Sequence, residues 1–254
     1  MSEVFVPRAQ PVPDFIPPLL SFTAGFVDAC TTLALFGLFV AQVTGSFVLT
    51  AVAFVTHEQG AVTKVLAIPV FLLAAVVTTV LAVAVDRRGR SPLAWCLGLE
   101  CVALTAFLVV VLAGRPLSNP NAVAVVAASL LGLFSMGVQS AAVRLLMRGV
   151  ASTSVMTTNT TQLAIDATEL FLAWRARHRA GADAAAACAA ARLRCARLAP
   201  IMLGFLLGTA AGTIAYVTIG LWGLLLPLAV MYGVFAWAGI REQREVGPAG
   251  SGAP

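Results

Sequence analysis

A chain of 254 residues that is 60% hydrophobic and only 11% charged, with a mean hydropathy of +0.95, cannot cover itself with a water-facing surface, since soluble domains carry about 25% charged residues. Its net charge of +5 comes from 16 Lys and Arg against 11 Asp and Glu, and membrane topology accounts for that excess without a nucleic-acid partner. Composition thus excludes a soluble domain and points to an all-α integral membrane protein whose first partner is the lipid bilayer.

Residues 1–16 contain Pro7, Pro11 and Pro13 with Glu3, Arg8 and Asp14. They lack the basic start, short apolar stretch and small-residue cleavage site of a secretory signal, so a cytoplasmic tail is expected. A first membrane unit, 17–115, carries full-length apolar spans at Leu19–Val40, Ala67–Val85 and Pro92–Ala113. Between the first two lies Val43–Val55, whose 13 residues suit a re-entrant piece, followed by polar His57-Glu58-Gln59-Gly60.

A second unit, 116–240, opens with the span Ala122–Val143 and the weaker Thr-rich stretch Ala151–Trp174, which holds Asp166 and Glu169. A basic, Ala-rich helical insert follows at 175–197. Leu198–Ile240 then runs 43 residues without a charge. As one helix it would be about 65 Å long against a hydrocarbon core of about 30 Å. It must fold back, with Thr218-Ile219-Gly220 as the turn, giving spans Leu198–Ile219 and Leu221–Ile240. Residues 241–254, containing Gly and Pro, read as a disordered tail.

Basic residues choose between two topologies. If only the six full spans cross, 14 Lys and Arg fall on the amino-terminal side and two, Lys64 and Arg115, on the other. If the two short segments cross as well, the split is 11 against 5. Six transmembrane helices plus two short broken or re-entrant segments, with both termini cytoplasmic, is the cleaner arrangement; eight crossings is the alternative.

The halves also echo each other. Phe22-Thr23-Ala24-Gly25 corresponds to Phe134-Ser135-Met136-Gly137 at an offset of 112, and Thr44-Gly45-Ser46 corresponds to Thr157-Thr158-Asn159 at 113. Three crossings per half make such repeats inverted, the plan of many secondary transporters, whereas four make them parallel.

Gly25-Phe26-Val27-Asp28, Thr44-Gly45-Ser46, and Met136-Gly137-Val138-Gln139-Ser140 followed by Arg144 and Thr157 resemble the YoaK-like family of bacterial multi-span membrane proteins. The resemblance runs from about Phe15 to Ile240. It implies a multi-pass protein of the bacterial inner membrane and, because that family is uncharacterised, brings no substrate with it. This chain departs from the pattern at Ser46, where Asn is expected, and at Thr158, where Gly is expected.

Several residues could carry chemistry. Asp28 and Glu100 each fall about half-way through a span, where a charged acid costs roughly 2.5–3.5 kcal/mol on insertion scales. Proton or cation coupling is the functional reading, and packing through hydroxyls is the plain one. Gln139 and Ser140 fall opposite Asp28 under the repeat and extend a shared polar interior with Gly25; ordinary interhelical hydrogen bonding explains them equally well.

Thr44, Gly45 and Ser46 open one short segment and Thr157, Thr158 and Asn159 the other. If both are re-entrant, their helix starts would meet near the midplane and present free amides to a small anionic or zwitterionic solute; plain surface capping is the alternative. Arg144, Asp166 and Glu169 form a candidate cytoplasmic gate.

The five cysteines have no zinc-ligand spacing, His57 and His178 are isolated, and no nucleotide loop or nucleophile elbow is present. No metal, cofactor or catalytic residue is therefore expected. A small-solute permease is the leading reading, ahead of an intramembrane enzyme acting on a lipid or quinone and of a non-transporting scaffold or sensor.

Overall fold

The computed structural model describes residues 7–56, 60–147, 149–176 and 182–246, and among them every named secondary-structure element is a helix. In chain order the helices are α1 (Ile16–Ala34), α2 (Val43–Thr56), α3 (Ala61–Asp86), α4 (Pro92–Ala113), α5 (Val123–Leu146), α6 (Met156–Ala176), α7 (Ala182–Ile219) and α8 (Leu225–Val246). A 3-10 turn, Gly220–Leu224, separates the last two.

Five helical runs are long and apolar enough to cross a membrane: Ile16–Ala34, Ala61–Asp86, Pro92–Ala113, Val123–Leu146 and Cys188–Gln243. The last contains the break at Gly220, whose φ of +64° suits a residue without a side chain. The chain reverses there, where the charge-free run had to fold. Val43–Ala53 is a shorter apolar helix, and α6 is not among the long apolar runs.

Three expectations shift. The first span stops at Ala34 rather than Val40, because Phe36 (φ +56°) and Gly37 (φ +78°) turn the chain back toward the helix it has just left. The described part of the basic insert from Ala182 is continuous with the following span, so α7 reaches 38 residues. α8 continues through Arg241 to Val246, into the segment read as a disordered tail, and 247–254 lie outside the described residues.

Lipid offers apolar helices no hydrophobic reason to associate, so close approach through small residues takes over. On α3 the buried positions are Thr63, Ala67, Ala74, Thr78, Ala82 and, at its end, Val85, while Leu72, Leu73, Val76 and Val80 point outward. This pattern is the reverse of a water-soluble helix.

The tightest seam joins α1 to α7. β-Carbons at Gly204 and Gly208 would overlap the carbonyl oxygens of Pro18 and Phe22, and one at Gly212 would stand 2.6 Å from that of Phe26. Both sets of numbers rise together, so these helices are parallel. The α3 and α5 helices are parallel too, with the Gly60 amide bonded to Asn121 at one level and Gly137 packed on Ala74 and Phe71 further along.

Helix α4 lies antiparallel to both α5 and α8. Its Glu100 carbonyl accepts a hydrogen bond from Ser135, Gly98 packs on Phe235, and Thr105 bonds Tyr232 at 3.1 Å. The segment before α1 gathers one end of the bundle: Arg8 N–H donates to Asp86, Gln10 N–H to the Leu146 carbonyl, the Gln10 side chain to Ser91, and Arg241 to the Pro11 carbonyl. Helices α3, α5 and α8 therefore finish, and α1 and α4 begin, at the same end.

Candidate functional site: a polar seam along α5

Gly132, Ser135 and Gln139 are spaced three and four apart, so they line one stripe of α5. Val40, from the loop after α1, packs on Gly132, with its Cγ1 3.3 Å from where a β-carbon would stand. One turn on, the Ser135 hydroxyl donates to the Glu100 carbonyl at 3.4 Å. Another turn on, Gln139 Nε2 donates to the Leu20 carbonyl of α1 at 2.9 Å and to Thr153 Oγ1 at 3.4 Å. A single helix face thus touches both loops that return toward the bundle interior, and α4.

Asp28 sits beside this seam. Its Oδ1 accepts the Val40 and Ala41 amides at 2.8 and 2.7 Å. These two N–H groups belong to a non-helical stretch buried in the bundle, and in hydrocarbon each unsatisfied one would cost several kcal/mol. The carboxylate therefore fixes the depth at which α2 starts. The Gln42 side chain lies alongside, and Oδ2 is buried with no bonded partner among the described residues.

The loop before α6 is held differently. Ser21 Oγ donates to the Thr153 carbonyl at 3.2 Å, and Asn159 Nδ2 donates to the Ser152 carbonyl at 2.7 Å. Asn159 and Gln139 therefore tie this loop in place; Ser140, next to Gln139 on α5, is only half-buried.

Glu100 has no such task. It is fully buried in α4, between Cys96 and Cys101, and both carboxyl oxygens lack a partner among the described residues. It and Asp28 are joined by one turn of α5, through Ser135 on one side and Gly132 with Val40 on the other.

The two polar knots do not meet. Helix α2 packs on α3 and α6 on α7, with no contact between α2 and α6. Thr44, Thr157 and Thr158 are exposed, Gly45 lies against the Phe39 ring, and Ser46 is buried with a hydroxyl that has no partner among the described residues. Each short segment returns only as far as its own anchor, so no shared anion site forms from their helix starts. Gly25, grouped with the polar interior by sequence, instead packs on the Phe205 carbonyl and Thr209 of α7.

The expected gate is also rearranged. Asp166 pairs with Arg194 of α7 at 2.7 Å and accepts from Gln162 at 3.0 Å, and Glu169 reaches the same guanidinium at 3.1 Å. Arg194, hydrogen-bonded to Asp166, holds that carboxyl below its usual range. Arg144 is exposed and takes no part in this cluster. The pairing clamps α6 to α7.

Sequence reasoning missed Arg194, Thr153, Ser21 and the glycine row Gly204, Gly208 and Gly212. Only the glycines carried a legible signal, a four-residue spacing inside an apolar span. Among the described residues no group of three His, Cys, Asp or Glu could hold a metal ion.

A family described as "Protein of unknown function (DUF1275)" matches residues 17–237. The chain belongs to that DUF1275 family. The matched region takes in α1 from Pro17, α2 to α7, both return loops and the whole polar seam. Comparison with curated proteins and with solved structures gives no match. DUF1275 membership agrees with the resemblance at the level of an uncharacterised family and does not carry the narrower YoaK-like name.

Proposed function

We propose that this DUF1275 protein is a small-solute permease of the bacterial inner membrane, with six crossings, both termini in the cytoplasm and two inverted halves. The observation that carries the reading is the exchanged pairing of the halves. Helix α1 packs in parallel on α7, the third helix of the second half, and α5 packs in parallel on α3, the third helix of the first. The corresponding glycines, Gly25 and Gly137, face the carbonyl oxygens of Phe205 and Phe71.

Because α1 and α5 begin at opposite ends of the bundle, the two halves are related by inversion. In such folds one half can adopt the conformation of the other, which exposes a central site to each side in turn. The short helices α2 and α6, each starting inside and leaving on opposite sides, supply the two broken segments. Lys64 and Arg115 lie at one end, and Arg8, Arg87, Arg88, Arg90 and Arg241 at the other, which supports a cytoplasmic assignment for the latter.

Within this reading Glu100 is the coupling residue and Asp28 an anchor. Proteoliposomes should take up at least one solute from a panel of small anions and zwitterions under an imposed proton gradient. Glu100→Gln should abolish gradient-driven uptake while preserving solute exchange. Folded protein that moves nothing across the panel, or a Glu100→Gln variant with unchanged gradient response, would overturn it. In a background without native cysteines, Ser118→Cys should label from outside and Gln243→Cys only after permeabilisation.

A further inference from the structure

We infer that the cleft between α3 and α8 is a binding site for one anionic phospholipid of the cytoplasmic leaflet. Helices α3 and α8 each pack on α4 but not on each other. They leave a cleft of about 1120 Å³ floored by α4. Its deep part is apolar, formed by Leu81, Leu99, Val102 and Phe235, and Val102 is 65% exposed to the surroundings of the bundle. On α4 its lining runs from Ala94 to Val102, about 12 Å at 1.5 Å per residue, which suits acyl chain rather than a compact solute.

The mouth is of opposite character. Arg88 and Arg90, both exposed, stand on the α3–α4 turn at the rim. The Arg90 guanidinium lies 5.4 Å over the Trp95 ring, an aromatic at the depth where head groups meet hydrocarbon. The acidic residue at the rim, Glu242, accepts the Ser91 amide at 3.1 Å and is thereby tied to the start of α4. An apolar furrow open to lipid and capped by two arginines complements a phosphodiester head with its chains below. Basic pockets between membrane helices on the cytoplasmic side recognise lipids in this manner.

Gly239 makes the proposal separable from folding. It lies in the cleft with nothing within 4 Å of where a β-carbon would stand, so the side chain of Gly239→Leu starts into open space and takes up room in the furrow. The test is a titration of the detergent-purified full chain with brominated phosphatidylglycerol or brominated phosphatidylcholine, following the quenching lost on Trp95→Phe substitution. Phosphatidylglycerol should saturate this signal at lower concentration than phosphatidylcholine. Arg88→Gln with Arg90→Gln should weaken phosphatidylglycerol about 30-fold, at about 1 kcal/mol for each arginine, and Gly239→Leu should weaken both lipids.

Equal affinity for the two lipids overturns the proposal, as does a phosphatidylglycerol affinity indifferent to the double substitution. If the double variant fails to fold, Gly239→Leu with unimpaired phosphatidylglycerol quenching would do the same. The orientation of this end rests on the topology proposed above. The lipid preference is read without any transport measurement, so an inactive permease leaves it standing.

Discussion

The loops leading into α2 and α6 meet the same problem and solve it with opposite chemistry. Both return from the end of a long helix to its buried middle, where backbone groups have no water. The loop after α1 turns N–H groups inward, at Val40 and Ala41, and is met by an acceptor, Asp28. The loop after α5 turns carbonyls inward, at Ser152 and Thr153, and is met by donors, Asn159 and Ser21. Which backbone group faces the interior thus decides whether the anchor is an acid, an amide or a hydroxyl. A mid-membrane acid in such a position is explained by structure alone, and this separates Asp28 from Glu100, which anchors nothing.

The largest expected effect breaks the first anchor outright. Asp28→Ala orphans two buried amides at about 1–3 kcal/mol each, and thermal unfolding in detergent should show a loss of several degrees. Asp28→Asn retains an acceptor oxygen and should lose much less. Equal damage from both would mean that the charge, not the acceptor, matters.

Next come the glycine seams. Gly208→Ala drives a methyl into the Phe22 carbonyl and should cost about 1–3 kcal/mol by overpacking. Gly137→Ala meets the Ala74 methyl at 2.7 Å and the Phe71 carbonyl only at 3.3 Å, and should cost less, while Gly233→Ala, with open space around it, should leave unfolding little changed. On the donor side of the comparison, Gln139→Leu removes bonds to Leu20 and Thr153 and should cost about 1 kcal/mol, the usual scale for such ties in membranes.

The smallest effect lies in the α6–α7 clamp. Because the Asp166 carboxyl is held below its usual range, its contribution is present above the unfolded-state value and is lost as pH falls through the lowered one. The protection of α6 amides against hydrogen exchange, taken relative to the intrinsic rate at each pH, should fall at acid pH, and Arg194→Gln should remove that dependence.

Much of this architecture was legible in the residues. Pro92–Ala113 emerged with its final boundaries because Ser91-Pro92 opens a helix and Gly114 closes one. The reversal at Gly220 followed from length alone. The end of α1 did not, since Leu35–Val40 is as apolar as the helix before it, and only the turn at Phe36 and Gly37 shows that the chain doubles back. The partners of Asp28 were hidden because they are backbone groups, which leave no mark in side-chain identity. The two knots were expected to meet if both short segments are re-entrant, yet α2 packs on α3 and α6 on α7, and the sequence does not mark which long helix each short one follows.

The parallel contact of α1 with α7 sets an order on biogenesis. Pro18 and Gly204 are about 190 residues apart in the chain, so at 5–20 residues per second the ribosome needs roughly 10–40 s to supply the partner of the first helix. Through that interval α1, with Asp28 already in the bilayer, has none of its final glycine seam. A chain truncated before α7 would leave the α1 surface around Pro18, Phe22 and Phe26 without the glycine row that covers it.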